Sequence, residues 1–287
     1  MSEPSAATRE VIDTARARLD DVLDDARAWL LAASGDVSVE AKDDGTPVSD
    51  ADLELDQRLS NHLADHFPDH GIISEERDTV APDATWTWII DPIDGTSNFI
   101  CRLPYWCVSI ALAYEGRPVL GVVDAPVLGR RYQAARGAGA FVESRTTSLD
   151  GETQQHRRRR MQVREPVDWR DGRNRHVPVM LTTGTARGAR AAGLRLNPRV
   201  MGSTALDLAM VAEGTAVASI ARIPKIWDIA AGILLVEEAG GAISHLDEPS
   251  MFPIQTGIEH VRRSTATAAG PDAAFADELA RALLEPR

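Results

Sequence analysis

Two carboxylates stand three residues apart at the end of an apolar run, in Trp88-Ile89-Ile90-Asp91-Pro92-Ile93-Asp94-Gly95-Thr96-Ser97-Asn98-Phe99. Carboxylates held this close repel each other unless a proton or cation lies between them. Magnesium suits such a pair: it takes carboxylate and carbonyl oxygens, keeps waters and binds phosphate oxygens at once. The stretch has no Cys or His to attract a softer metal. Gly95 lets the main chain approach a ligand without a Cβ. Thr96 and Ser97 then expose backbone N–H groups at what reads as a helix start, where an anion is welcome. The chemistry suggested is metal-assisted hydrolysis of a phosphate ester. The same residues also read as a strand followed by an Asx-rich turn and a helix cap, and the stretch alone leaves both readings open. Its spacing does argue against an aspartyl-phosphate mechanism. That mechanism uses Asp-x-Asp-Gly-Thr with carboxylates two apart, whereas Asp91 and Asp94 face as two metal ligands would.

The elements that must carry these residues follow from periodicity. Apolar residues recur at helical spacing from Thr8 to Ala33. Ser49 opens a second helix, with Asp52 three residues on in a capping-box arrangement and Leu55, Leu59, Leu63 and Phe67 as its stripe. Gly71–Ser74 reads as a short strand ending at Glu75-Glu76, and Trp86–Ile90 as a second ending at Asp91. Val108–Tyr114, Val119–Asp124 and Tyr132–Arg136 follow as an antiparallel meander. Residues 146–176, polar, poorly periodic and including Arg157-Arg158-Arg159-Arg160, read as a loop or insertion. Beyond it come a helix over Thr204–Glu213, a strand over Ala216–Ala221, a helix over Asp228–Ala239 ended by Gly240-Gly241, and a last helix near Asp272–Leu284. The expected architecture is α+β in layers. It would form one domain of two close lobes, about 1–145 and 177–287. On their own, Asp52 also reads as a capping-box acid, Asp228 as a helix N-cap and Glu75 as a solvated strand end. Met together without cations, these acids would be costly to bury, so a shared metal explains them jointly.

Composition narrows the partners. The chain has 287 residues, 44% hydrophobic, with a formal net charge of -12. Such a charge repels nucleic acid and anionic membrane, and any phosphorylated ligand must be held by local cations or metal. Cys101 and Cys107 read as reduced, mostly buried thiols. No apolar run approaches the roughly 20 residues of a membrane span, and the polar start Met1-Ser2-Glu3-Pro4 lacks a signal-peptide pattern. A cytoplasmic protein is expected. His62, His66 and His70 read as a solvated polar face, with His70 displaced by Pro68.

Asp91 to Phe99 resembles the first signature of the inositol monophosphatase family. Trp227-Asp228-Ile229-Ala230-Ala231-Gly232, followed by Glu237-Glu238-Ala239-Gly240-Gly241, resembles the second. Ser74-Glu75-Glu76 is similar to its acidic strand end, and Gly202-Ser203-Thr204-Ala205 to its substrate-side turn. The resemblance implies a layered αβαβα sandwich, a homodimer, and a phosphomonoesterase working with two or three magnesium ions. It implies that Glu75, Asp91 and the Ile93 carbonyl hold one ion, that Asp91, Asp94 and Asp228 hold another, and that Glu75 helps place a third through water. Thr96, oriented by Asp52, would bind the attacking water. The N–H groups of Gly95 and Thr96 would hold the phosphate, with Ser97, Gly202, Ser203 and Thr204 beside it. The family often has a glutamate seven residues before the second-signature aspartate; here that position is Ala221, with Arg222 and Lys225 nearby. The substrate therefore stays open among inositol phosphate, fructose 1,6-bisphosphate, a 3′,5′-bisphosphate nucleotide and histidinol phosphate. A protein that binds metal and metabolite without turnover is the alternative of another class.

Overall fold

Ser5 starts the first helix, its side chain accepting from the Thr8 N–H and so satisfying one of the donors a helix start leaves unpaired. This helix, α1 (Ala6–Ala33), buries Ile12, Ala15, Leu19, Leu23, Ala26 and Leu30 along one stripe. A hairpin of β1 (Val39–Ala41) and β2 (Pro47–Ser49) leads into α2 (Asp50–His66). Ser49 and Asp52 form the expected capping box. Leu55, Leu59 and Leu63 of α2 share one core with the α1 stripe. The computed structural model describes residues 4–42, 45–77, 80–147, 154–186, 193–246, 250–260 and 263–284.

A seven-stranded sheet lies beneath these helices. Its strands follow in chain order: β3 (Gly71–Ser74), β4 (Trp86–Asp94), then after the short helix α3 (Thr96–Ile100), β5 (Cys107–Tyr114), β6 (Arg117–Ala125), β7 (Arg130–Ala135), β8 (Gly139–Thr147) and β9 (Gln154–Arg160). Only the β3–β4 pair is parallel. The period of two divides β4 between two cores: Trp88 and Ile90 pack with α1 and α2, and Ile89 packs on the opposite face.

That opposite face is covered by two helices, which a second sheet covers in turn. β10 (Pro178–Leu181), β11 (Asn197–Arg199), α4 (Thr204–Ala212), β12 (Ala218–Ala221), α5 (Ile226–Glu238), β13 (Ala242–His245), β14 (Thr267–Gly270) and α6 (Ala273–Leu284) complete the chain. The second sheet has the order β11-β10-β12-β14-β13. Leu206 and Leu208 of α4 and Ile229 and Ile233 of α5 join Ile89, Ala111 and Val123 in one core. On the outer face, Phe275, Leu279 and Leu283 of α6 pack on Val179 and Ile220. The layers are helix, sheet, helix, sheet, helix: the αβαβα sandwich.

Close approach of β6 and α5 depends on Gly121, where an added Cβ would lie 2.9 Å from the Ala231 carbonyl oxygen. Backbone cannot yield as a side chain end can. Gly121→Ala is expected to destabilise the protein by roughly 1–3 kcal/mol. A lower urea midpoint at unchanged m-value would show it.

Several expectations need correction. Residues 154–160 are a strand, not part of a loop: β9 pairs antiparallel with β8, from Phe141↔Arg160 to Thr147↔Gln154. The first sheet therefore runs to Arg160, beyond the expected lobe boundary. Hydropathy hides this strand because its arginines use their stems and heads separately. Arg158 lies 4.1 Å over the Phe141 ring, and Arg159 reaches Glu213 at 2.6 Å. Further on, Met161 and Trp169 are buried. Residues 148–153 of the expected loop lie outside the described residues. Cys101 is exposed and only Cys107 is buried, both as free thiols. His70 stands off the helix face, as its displacement by Pro68 implies, but it is half-buried and stacks on Phe67 and Trp86. Among the described residues no helix is long and apolar enough to cross a membrane.

Candidate active site

β4 delivers both carboxylates. It continues past Ile90 to Asp94, with a register shift against β5 between Asp91 and Asp94. A bulge of this kind re-aims side chains at the end of a strand. Gly95 follows with φ 97°, in the left-handed region. A Cβ there would also stand 3.1 Å from the Tyr105 carbonyl oxygen and 3.2 Å from that of Gly202, so both strain and space call for glycine. α3 begins at once, and the N–H groups of Thr96 and Ser97 in its first turn have no intrahelical acceptor.

Three other elements bring their acids to this turn. Asp52, 1% exposed, reaches it from α2: its Oδ1 lies 3.2 Å from Thr96 Oγ1, which donates. Its Oδ2 accepts from the Ser49 N–H and hydroxyl. The capping acid and the site acid are thus one residue using two oxygens. Thr96 Oγ1 also lies 3.0 Å from the Ile93 carbonyl. Glu75 leaves β3 with its N–H bonded to the Ile90 carbonyl at 3.1 Å. Asp228 is the third residue of α5 rather than its cap, and its Oδ2 accepts from the Lys225 N–H at 2.8 Å. Across from them, Gly202 lies beside Asn98 and Ser203 caps α4. Asp94 Oδ2 accepts from Ser203 Oγ and from the Ala205 N–H, each at 2.6 Å. These contacts tie the β4 turn to the α4 turn.

The electrostatics favour a cation. Burial, then the charges of Glu75, Asp94 and Asp228, hold the Asp91 carboxyl well above the usual carboxylate range. Burial, then Asp94 and Glu75, does the same to Asp228. Asp94 is pushed up to about 6 by burial, against the donors of Ser203, Ala205 and Thr204. Burial raises Asp52 too, opposed by Ser49. Asp91 Oδ1 is buried with no hydrogen-bond partner, the condition a hard metal ion would relieve. As the side chains stand, no three acids or imidazoles among the described residues converge tightly enough to grip an ion. The reason is visible at Glu75 and Asp94. Asp94 is turned to the α4 donors, and Lys42 Nζ lies 2.7 Å from both Glu75 Oε1 and Glu76 Oε1. Burial opposes the Lys42 charge, but Glu75 and Glu76 outweigh it and hold the ammonium above its usual range. Glu76 is itself raised to about 7, by burial first.

Sequence pattern alone gives Lys42 no place in the site and Glu76 no role beyond the acidic strand end, since a lysine in a turn-rich loop has no periodicity to mark it. Nor does the pattern mark Tyr105 and Asp207, whose bond of 2.8 Å from the phenol to the carboxylate lies buried behind the turn. Asn98, inside the first signature, donates at 2.7 Å to the carbonyls of both Tyr105 and Met201. It thereby holds α3 against the segment preceding Gly202.

An αβαβα sandwich with buried acids beside an anion-friendly turn has the frame of a phosphoric monoester hydrolase. The chain belongs to the inositol monophosphatase family, whose model matches residues 8–283. A histidinol-phosphatase of Mycobacterium tuberculosis is 36% identical over 74% of this chain and 79% of its own. The solved structure of a Thermotoga maritima IMPase superposes with a TM-score of 0.74 at 29% identity, covering 93% of this chain and 97% of that one. A structure of an IMPase/NADP phosphatase complexed with Mg2+ and phosphate shares the fold, with a TM-score of 0.74 at 23% identity over 96% and 97% of the two chains.

Proposed function

We propose that this protein hydrolyses a small phosphate monoester by direct attack of water, with two or three Mg2+ ions held by Glu75, Asp91, the Ile93 carbonyl, Asp94 and Asp228. The observation that carries the reading is the partnerless, buried Asp91 Oδ1 among four further acids, Glu75, Asp94, Asp228 and Asp52. Ions bound there would neutralise the phosphate, acidify a water and steady the leaving alkoxide. The chain supplies the rest. Thr96 gives its hydroxyl proton to Asp52, which turns the oxygen's lone pairs outward to receive a proton from the attacking water. The N–H groups of Gly95, Thr96 and Ser97 hold the phosphate oxygens, and Gly202, Ser203 and Thr204 wall the substrate side. Glu75 must leave Lys42 to take its ligand role. A homodimer is the accompanying expectation, checked by light scattering.

For the leaving group, Ala221 is buried and carries no charge, while Arg222 is exposed and Lys225 half-buried just before Asp228. This supports a substrate with a second anionic group over a neutral polyol. The test is phosphate release from inositol 1-phosphate, fructose 1,6-bisphosphate, histidinol phosphate and 3′-phosphoadenosine 5′-phosphate, with and without magnesium. Release only with magnesium, and the highest kcat/KM on a bisphosphate, is the expected outcome. No release from any of them would favour the reading as a binding protein without turnover. The presence of Asp52, Glu75, Asp91, Asp94, Thr96 and Asp228 together speaks against that reading, since a protein without turnover could lose any one of them.

A further inference from the structure

A cavity of about 360 Å³ opens away from these residues. Its walls include Arg117 at the start of β6, Arg136 just after β7, Glu237 near the end of α5, His245 at the end of β13, and Ser250 and Phe252 beyond it. Arg117 is paired with Tyr114, and Tyr114 with Trp86, the first residue of β4. Asp91 and Asp94 lie at the other end of β4, five or more residues on, which is roughly 17 Å or more. Along α5, Asp228 and Glu237 are nine residues apart, roughly 14 Å. The cavity is therefore separate from the active site.

Its polar groups are unevenly satisfied. Arg136 is 17% exposed; its Nη1 lies 2.7 Å from Glu237 Oε2 and its Nη2 donates to the Pro118 carbonyl at 3.2 Å. Its Nε is buried and has no hydrogen-bond partner. A buried donor without an acceptor costs on the order of 1–3 kcal/mol, so the Arg136 guanidinium is not saturated by its protein partners. Arg117 is exposed, and its guanidinium forms no ion pair among the described residues. In a chain of net charge -12, the two guanidinium groups offset the acids at this cavity: Arg136 is paired with Glu237 and lies 3.7 Å from Glu238, and Arg117 adds a further positive charge. Glu237 opposes a bare anion but accepts from a hydroxyl or ammonium. Phe252 adds an apolar wall. The volume lies in the range of small-metabolite pockets, roughly 300–1,000 Å³.

We propose that this cavity is a second ligand site, for a small organic anion that offers a carboxylate or phosphate to Arg117 and Arg136 and a hydroxyl or ammonium donor to Glu237. The test is calorimetric titration of the full chain, stripped of metal and dialysed into chelator-free buffer, with citrate, which carries carboxylates and a hydroxyl, and separately with inorganic phosphate. Wild type, Arg117→Ala and Asp94→Asn are compared, each checked for fold by circular dichroism. Saturable binding of at least one probe is expected in wild type and in Asp94→Asn. In Arg117→Ala it should weaken by about five-fold or more, near 1 kcal/mol. Binding of citrate alone assigns a carboxylate ligand, and binding of phosphate alone a phosphate ester. Equal affinity in Arg117→Ala, loss of binding in Asp94→Asn, or no saturation by either probe up to about 10 mM would overturn the proposal.

Discussion

Asp94→Asn is expected to lower magnesium-dependent phosphate release by on the order of a thousand-fold, about 4 kcal/mol in the barrier, while making the metal-free protein more stable. Asparagine has the shape of aspartate, so the tie to α4 survives if its carbonyl oxygen takes the place of Oδ2 before Ser203 and Ala205. That choice forces its NH2 group toward the space the other acids surround. The variant therefore loses a charge and also aims a donor where a cation should sit. The stability effect has the opposite sign. Asp94 titrates at about 6 in the fold against an ordinary 3.8, chiefly through burial. Between those values the folded state holds the proton more tightly than the unfolded chain. Stability from this group is complete below about pH 4 and is lost as pH rises to about 6 and beyond. The rise from 3.8 to about 6 caps the cost at roughly 3 kcal/mol. At pH 7.5 in EDTA, Asp94→Asn should melt above wild type, and added magnesium should stabilise wild type much more than the variant. Near-normal turnover in the variant would remove Asp94 from the ligand set.

Arg131→Leu should cost roughly 3–5 kcal/mol of folding stability. The Arg131 side chain is fully buried, as is that of Asp124, and its Nε lies 2.8 Å from Asp124 Oδ1. Its Nη1 and Nη2 reach Asp20 at 2.8 Å and Asp24 at 2.7 Å on α1. One guanidinium thus holds the first helix to the middle of the first sheet. Leucine fills much of the space but leaves Asp124 as a buried charge without its counterion. Asp20 and Asp24, more exposed, lose less to water. The double variant Arg131→Leu, Asp124→Asn should recover part of the loss, because the uncompensated charge is gone. Urea denaturation of the three proteins measures this. A single variant within about 0.5 kcal/mol of wild type would mean that helix packing alone holds α1 in place.

Neither network was equally readable in the sequence. The acids of the candidate site were legible because they sit at element ends, where chain punctuation is strongest: Ser49 with Asp52, Gly95 after Asp94, the strand stop at Glu75. The layered fold was legible from the change between helical and alternating periods. Arg131 was not, because a single cation in a meander has no partner visible by spacing; Asp20 and Asp24 lie more than a hundred residues away. Lys42 has no role that spacing can assign for the same reason, since its two glutamates are 33 and 34 residues distant. The β9 strand was missed because periodicity reports burial of whole side chains, and arginine buries only its stem.

That strand bears on how copies of this protein behave toward one another. β9 closes the order of the first sheet, so among the described residues one row of its main-chain N–H and C=O groups has no neighbouring strand. Such a rim is a template for another chain to stack onto. Arg157, Arg158, Arg159 and Arg160 are all exposed and point alternately to the two faces. If two such rims met in opposite directions, guanidinium would face guanidinium on both faces, and like charges directly opposite are destabilising. Consecutive arginines on this rim therefore disfavour the stacking of one copy's sheet onto another's.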